Sequence, residues 1–184
     1  MKLNLRMYFF VPYNLSPIQQ SIQAGHAALE YALVYGATEL FKDFAVNHKT
    51  WIILNGGTTN SSETNSGSLQ EIIYAIKSFN EEYAYGPSNI SELLDFSFFN
   101  EPDINDALTA ICFIVDERVF NTKDYPNWKQ YLWNLMGNDF SNSINKSDDE
   151  LKEEHPTVYK EWLELIGGHK NEFLKNLLKD KRLA

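Results

Sequence analysis

The sequence predicts an α/β fold in which a small mixed sheet of four strands is packed between helices, with a helical extension at the C-terminal end. Short apolar runs alternate with helical patterns over the first 115 residues, and this alternation ends in two successive strands. From residue 116 onward only helical patterns and polar linkers follow. We therefore divide the chain into an α/β domain, residues 1–117, and a helical extension, residues 118–184.

The first strand and the long helix after it are the unit around which the domain is organised. Leu5–Val11 is an apolar, aromatic-rich run, which is typical of a strand covered on both faces. Ser16 is a good N-cap, Pro17 suits the first helical position, and Gln19 completes a capping box. Gly36 is a plausible C-cap, so the spacing predicts a helix over 17–35.

This helix has two stripes of interest. We expect its apolar stripe to pack on the sheet; the stripe consists of Ile18, Ile22, Gly25, Leu29, Ala32 and Leu33. A polar stripe at i, i+4, i+7 and i+11 consists of Gln19, Gln23, His26 and Glu30. A solvated helix face usually carries Lys–Glu pairs instead. The polar stripe is therefore interpreted either as one wall of a ligand pocket or as an ordinary solvent-facing surface.

Gly25 lies in the middle of the predicted helix. Glycine there costs about 1 kcal/mol relative to alanine, which indicates that another group approaches closely at this point. The alternative is that Gly25 only lets the helix lie tightly on the sheet.

The remaining elements follow from shorter signals. In chain order they are helix Glu39–Asn47, strand Thr50–Leu54, helix Leu69–Tyr83, strand Asp95–Phe99, strand Thr109–Val115 and, in the extension, helices opening at Asn127, Ser147 and Pro156, then His169–Leu183. Segments 60–67, 88–94 and 137–149 are interpreted as a solvated loop, a short helical turn and a polar linker.

Asn55, Gly56, Gly57 and Thr58 directly follow the second strand, where α/β folds tend to bind ligands. Backbone amides left free by two glycines would hold a phosphate or a carbonyl there. The segment is not a Walker loop, because it lacks the lysine and the required spacing. We therefore predict that it forms the rim of a ligand site.

The composition restricts the partners of the chain. The net charge is −9 and Lys plus Arg number 16 against 25 acidic residues, which disfavours a broad tRNA-binding face. No apolar run approaches the ~20 residues of a membrane span, and no secretory signal is apparent at the start of the chain. The single cysteine, Cys112, falls in an apolar run and is expected to be a buried thiol rather than a nucleophile. These features favour a cytoplasmic protein.

No two histidines have the i, i+4 spacing of a helical zinc site, so we expect neither a metal nor a cofactor.

Two segments resemble a known family. The helix segment Gln23–Ala28 (QAGHAA) and the turn-and-strand segment Asn100–Ala110 (NEPDINDALTA) are similar to the signatures of type 2 peptidyl-tRNA hydrolases. The order of elements across residues 3–115 is similar as well. The resemblance implies a four-stranded mixed sheet between helices and metal-free cleavage of the ester that joins a peptide to the 3′ end of tRNA. The final third resembles additions found in proteins of large bacteriophages.

The resemblance also implies site residues. Gln23 and His26 match polar residues that line the family's cleft, and Thr109 resembles the threonine that opens the last strand beside it. His26 would be the general base for an attacking water. An acidic residue of the preceding turn is expected too, and the resemblance does not choose among Glu101, Asp103 and Asp106.

Gln19 departs from the family, which places a lysine at the start of this helix. A lysine holds phosphate and polarises an ester oxygen, whereas an amide supplies only neutral hydrogen bonds. We therefore expect a small nucleotide-type ligand, which the protein binds and hydrolyses; an immune signalling nucleotide in the host cytoplasm would suit a phage origin. The alternatives are an aminoacyl- or peptidyl-tRNA ester hydrolase, and a non-enzymatic nucleotide-sequestering or scaffold protein. A homo-oligomer is expected, with the C-terminal helices as one candidate interface.

Overall fold

The computed structural model describes residues 2–58, 67–84, 92–137, 140 and 145–184. The chain forms two compact units: a sheet unit, Met1–Asp116 with Asp180–Ala184, and a helical unit, Glu117–Lys179. The segments predicted as a loop at 60–67, a turn at 88–94 and a linker at 137–149 lie wholly or partly outside the described residues.

The sheet unit contains a four-stranded mixed sheet, which confirms the mixed α/β class that the sequence predicts. The strands are β1 (Leu5–Val11), β2 (Thr50–Asn55), β3 (Phe96–Glu101) and β4 (Ala107–Asp116). Their order is β2-β1-β4-β3, so the two most apolar strands are central. β1 runs parallel to β2 and antiparallel to β4, and β3 is antiparallel to β4.

Helices cover both faces of the sheet. Helix α1 (Pro17–Tyr35) packs over β1, β3 and β4, while α2 (Glu39–Asp43) continues into a π-helix, Phe44–His48. Helix α3 (Ser68–Ala84) packs against β4. Alternate side chains of β4 point to opposite faces of the sheet. Cys112 belongs to the core cluster under α1, whereas Ile111 and Phe113 are fully buried outside that cluster.

The N-terminus of α1 has the cap that the sequence predicts. The Ser16 side chain accepts from the Gln19 amide, and the Gln19 side chain accepts from the Ser16 amide, so both halves of the capping box are present. The cap uses the side-chain oxygen of Gln19, and the ligand-binding role predicted for this residue stays a prediction.

The prediction of which face of α1 packs on the sheet is wrong. The buried residues are Gln20, Gln23, Ala24, Ala27 and Tyr31, whereas Ile18, Ile22, Leu29 and Leu33 are exposed. Small side chains at Ala24 and Ala27 bring the helix backbone close to the sheet, and the buried amides find acceptors. One of these, Gln20, donates to the Pro12 carbonyl at 3.3 Å.

Gly25 does not have the close neighbour that we expected. A Cβ built on it meets nothing within 4 Å. The residue lies on the outer side of α1, so packing on the sheet does not explain it.

The helical unit consists of short helices around an aromatic core. They are α4 (Glu117–Phe120), α5 (Trp128–Met136), α6 (Asp148–Glu154), α7 (Pro156–Ile166) and α8 (His169–Leu178). Its core is formed by Trp128, Leu132, Phe140, Leu151, Trp162 and Ile166. The buried Lys175 ammonium donates to the Tyr125 carbonyl at 2.7 Å and to the Val119 carbonyl at 3.3 Å, which offsets the cost of burying a charge.

The end of the chain differs from the prediction. The last helix stops at Leu178 rather than Leu183, and residues Asp180–Ala184 belong to the sheet unit, not to the extension. Leu183 forms an antiparallel bridge with Leu54, and the Asn55 amide donates to the Arg182 carbonyl at 2.9 Å. These bonds occupy part of the outer edge of β2, which would otherwise be unpaired.

Over the described residues, each helix is too short or too polar to cross a membrane.

Gly25 and Gly56 give a matched test of this packing. Gly25→Ala should raise the free energy of unfolding by about 0.5–1 kcal/mol, because alanine is the better helix former and its Cβ meets open space. Gly56→Ala should lower it by roughly 1–3 kcal/mol, because its Cβ would lie 2.4 Å from Leu69 Cδ2 and 3.2 Å from the Val11 backbone. Urea unfolding measures both; equal effects of the two substitutions would contradict the packing described.

Candidate functional site

The predicted site segments meet at one edge of the sheet. β1 and β2 run parallel and end there at Val11 and Asn55. The β3–β4 turn lies at the same edge, because β4 is antiparallel to β1 and pairs Ile111 with Phe10. Helix α1 also begins at this edge, after the turn that follows β1. The carboxyl ends of parallel strands are where α/β proteins commonly bind ligands.

Gln23 connects three elements at this edge. Its Nε2 donates to Glu101 Oε2 at 2.6 Å, and its Oε1 accepts from Thr109 Oγ1 at 2.5 Å. Gln23 is only 8% exposed and Thr109 is fully buried, so water does not compete freely for these bonds. The amide therefore fixes the position of the Glu101 carboxylate relative to α1. We call Gln23, Glu101 and Thr109 the amide cluster.

A β-bulge gives Thr109 its orientation. Phe99 pairs with Ala110, but the next residue, Asn100, pairs with Leu108, so Thr109 is an extra residue on β4. Without the bulge, strict alternation would turn Thr109 away from the face on which Ala110 meets α1. With it, Thr109 reaches Gln23 and also lies 3.3 Å from the Phe99 carbonyl.

The turn before β4 contributes one carboxylate to the cluster. Glu101 is half-buried against α1, whereas Asp103 and Asp106 are exposed in the turn. Asp103 belongs to a 3-10 helix, Pro102–Ile104, and Asn105 and Asp106 both adopt positive φ angles. The structure thus brings Glu101 to Gln23 and Thr109, and leaves the two aspartates exposed in the turn. The roles that we predicted for Asp103 and Asp106 stay predictions.

His26 lies one turn along α1 from Gln23 and is half-buried. Its ring packs edge-on against Phe99, with the two ring centroids 4.4 Å apart. Among the described residues, its buried Nδ1 has no hydrogen-bond partner. An unsatisfied buried polar atom costs about 1–3 kcal/mol, so a ligand or water that bonds this nitrogen is stabilised by the site.

Phe99 lies at the site as well, although the sequence does not predict it. It orients the His26 ring, and its carbonyl lies within reach of the Thr109 hydroxyl. Within the aromatic run FSFF, only the strand alternation distinguishes Phe99 from its neighbours, and the run has no other signal for this role.

Glu30, the last residue of the polar stripe, is half-buried on α1. Its predicted ligand-binding role stays a prediction.

The loop after β2 is built differently from what we expected. The Gly56 amide donates to the Val11 carbonyl at 2.7 Å, and the Gly57 amide donates to Asn55 Oδ1 at 2.8 Å. Both amides are therefore satisfied inside the protein, and the prediction that they are free to bind a phosphate is wrong. Thr58 is exposed beyond them. Gly57 has φ +94°, which explains a glycine at that position.

Cys112 is fully buried and its thiol contacts the Ala27 carbonyl at 3.2 Å. Burial raises the pKa of this thiol to about 12. It is therefore unsuited to act as a nucleophile at neutral pH.

Across the described ranges, His, Cys, Asp and Glu side chains form no group of three that would hold a metal ion.

No protein-family model matches the chain, and a search of curated proteins found no match either.

The amide cluster gives a stability prediction. Thr109→Val should lower the free energy of unfolding by about 1–3 kcal/mol, because it leaves the buried Gln23 Oε1 without its donor. Combined with Gln23→Met, the double variant should show a coupling energy of about 1 kcal/mol in a double-mutant cycle measured by urea unfolding.

Ser21→Ala is the matched control, since Ser21 is exposed on the same helix and its hydroxyl donates to the Pro17 carbonyl of its own helix at 2.9 Å. It should change stability by less than about 0.5 kcal/mol. Additive effects of the Gln23 and Thr109 substitutions would contradict the hydrogen bond between them.

Cys112 gives a second prediction. Because its raised pKa leaves almost no thiolate at neutral pH, the native protein should react with a thiol reagent such as DTNB far more slowly than the urea-unfolded protein. Absorbance of the released thiolate measures both rates. Equal rates in the two states would show that Cys112 is accessible.

Proposed function

We propose that this protein is a metal-independent hydrolase, resembling type 2 peptidyl-tRNA hydrolases, that binds and cleaves a small nucleotide-type ligand at Gln23, His26, Glu101 and Thr109. The observation that carries the proposal is the hydrogen-bonded amide cluster, which joins the two segments on which the resemblance rests. The Nδ1 of His26, one helical turn from Gln23 and without a hydrogen-bond partner among the described residues, supports it.

The proposed chemistry uses His26 as the general base. Imidazole suits proton transfer near neutral pH, and it would take a proton from a water whose oxygen attacks the ester carbon. The bond from that carbon to the leaving oxygen then breaks, and the proton passes from His26 to the leaving hydroxyl. Glu101, held by Gln23, would orient the water or a sugar hydroxyl, because a carboxylate is a hydrogen-bond acceptor only.

The three acidic side chains near the site restrict which part of the ligand binds there. Glu101, Asp103 and Asp106 all lie on or next to the turn, so a phosphate beside the reacting bond would be repelled. Ribose hydroxyls, in contrast, are common partners of carboxylates in nucleotide sites. We therefore propose that the scissile bond is an ester on the ribose, with the phosphates farther from the turn. The net charge of −9 favours a small ligand over an intact tRNA.

Turnover of a ligand panel tests this function. The panel contains 3′-aminoacyl adenosine esters, acylated ADP-ribose and cyclic dinucleotides, with products separated by liquid chromatography. We expect an ester-bearing nucleotide to be cleaved in the presence of EDTA, and His26→Ala to slow cleavage by roughly 100-fold or more. Glu101→Gln should also slow it, because the amide accepts hydrogen bonds more weakly than the carboxylate. Ser21→Ala, on the exposed side of the same helix, should retain full activity.

Three other outcomes would each contradict the proposal. Release of peptide from a model peptidyl-tRNA, faster than cleavage of the small esters, would favour the tRNA ester hydrolase. Saturable binding of a nucleotide without turnover, by wild type and His26→Ala alike, would favour a sequestering protein. A panel that gives neither thermal shift nor product would rule out the nucleotide ligand.

A further inference from the structure

A groove of about 640 Å³ lies between α1 and the π-helix, on the face of the sheet that α1 covers. Met7 of β1 and its paired neighbour on β2, Trp51, lie at its base. Small-molecule sites in proteins commonly have volumes of this size. We call it the α1 groove, after the helix whose residues Ile22, Gly25, His26, Leu29 and Ala32 line one wall.

The lining of the α1 groove is apolar, although part of it faces water. Leu29 is 65% exposed, Ile22 48% and Trp51 43%. Among the described residues that line the groove, the charged side chain is Lys49, and there is no carboxylate. An apolar surface that is open to water is typical of a surface that a ligand covers. The groove therefore fits an uncharged, apolar part of a small molecule.

The wall opposite α1 is formed in part by the π-helix, which contributes Phe44 and Ala45. π-helices are rare in proteins and are frequently found at functional sites. This wall is therefore an indication, independent of the apolar lining, that the groove has a role beyond packing.

Gly25 leaves the groove open along α1 as far as His26. Both residues line the groove, and a Cβ built on Gly25 meets nothing within 4 Å. Glycine in the middle of a helix lowers its stability, and this one has no role in packing α1 on the sheet. The space left by the missing side chain gives the glycine a role, since a ligand that reaches His26 would pass there.

His26 lies between the α1 groove and the amide cluster. At 3.6 residues per turn, His26 is about 60° around α1 from Gln23, and Gly25 is about 100° farther in the same direction. A ligand that crosses α1 at His26 would thus contact the amide cluster on one side and the groove on the other. The groove and the candidate site are in this way parts of one surface.

The groove fits an acyl group better than a nucleotide base. The ring nitrogens and exocyclic groups of a base lose hydrogen bonds to water on burial, so a base needs polar partners in its site. Among the described residues of the lining, only His26 and Lys49 carry polar side chains. A hydrocarbon chain has no such groups, and each methylene that it buries strengthens binding.

We propose that the α1 groove binds the acyl group of a nucleoside ester whose ribose lies at the amide cluster. The substrate is then an ester of a long, apolar acyl group, and its ester carbon lies at His26. This inference rests on the proposed hydrolase function for the position of the ester carbon, and on the groove for the acyl group. From His26 to Ala32 the helix rises about 9 Å, which an extended octanoyl chain spans and an acetyl group does not.

Turnover of two esters that differ only in the acyl chain tests the proposal. The substrates are 3′-O-octanoyl adenosine and 3′-O-acetyl adenosine, and liquid chromatography measures the adenosine that is released. We expect kcat/KM for the octanoyl ester to exceed that for the acetyl ester by roughly 100-fold, because several methylenes leave water in the groove.

Two substitutions narrow the groove at different points. Ala32→Leu, at the end of the groove away from His26, should lower kcat/KM for the octanoyl ester at least about tenfold and leave the acetyl ester unchanged, because only the longer chain reaches position 32. Gly25→Leu should remove the preference for the octanoyl ester. Its circular-dichroism spectrum should match the wild type, because its Cβ meets open space.

Ser21→Leu is the matched control. It adds the same side chain one turn earlier, at an exposed residue that does not line the groove, and side chains on a helix tilt toward its N-terminus. The octanoyl preference should therefore be retained. Loss of the preference in this variant as well as in Gly25→Leu would contradict the position of the acyl group.

Calorimetric titration with the matching 3′-amides separates the groove from the hydrolase. 3′-Octanamido-3′-deoxyadenosine should bind at least about tenfold more tightly than the 3′-acetamido compound, and Gly25→Leu should abolish the difference. This result without cleavage of either ester would contradict the hydrolase and support the groove. Cleavage of both esters at equal rates, with equal affinity for the two amides, would overturn the groove and leave the hydrolase in place. Equal affinities without cleavage would overturn both.

Discussion

The sheet unit depends on one buried amide. Gln23 accepts from Thr109 and donates to Glu101, and so joins α1 to the last two strands where they turn. Both partners are more than 75 residues away along the chain, so these bonds fix a long-range arrangement that apolar packing alone would leave free to slide. The bonds also bear on chemistry, because they hold the Glu101 carboxylate against α1, one helical turn before His26, whose Nδ1 has no hydrogen-bond partner among the described residues.

Much of the fold is predictable from local signals. The capping box at Ser16, the strand runs and their order along the chain give the mixed sheet and the bounds of α1. The orientation of α1 is not predictable in the same way. Its most hydrophobic stripe faces outward, because Ala24 and Ala27 allow the tightest approach to the sheet. A rule that buries the largest apolar residues therefore selects the wrong side.

The candidate site was predictable only in part. The residue types of Gln23, His26 and the acidic turn are visible in the sequence, but the choice of Glu101 over its neighbours needs the strand register. The bulge that turns Thr109 toward α1 has no local sequence signal, and neither does the contact of Phe99 with His26. The two glycines after β2 suggested free amides, yet Val11 and the Asn55 side chain occupy them.

In this account the polar inner side of α1 builds the candidate site. The central claim is that the inner side binds a ligand rather than only cross-linking the fold. Side-chain NMR of the His26 ring and the Gln23 amide, recorded during titration with a 3′-aminoacyl adenosine ester, tests it most directly. The account predicts saturable shifts at both groups and none at Gln130, an exposed amide of the helical unit. Unchanged His26 and Gln23 signals at saturating ester would contradict it.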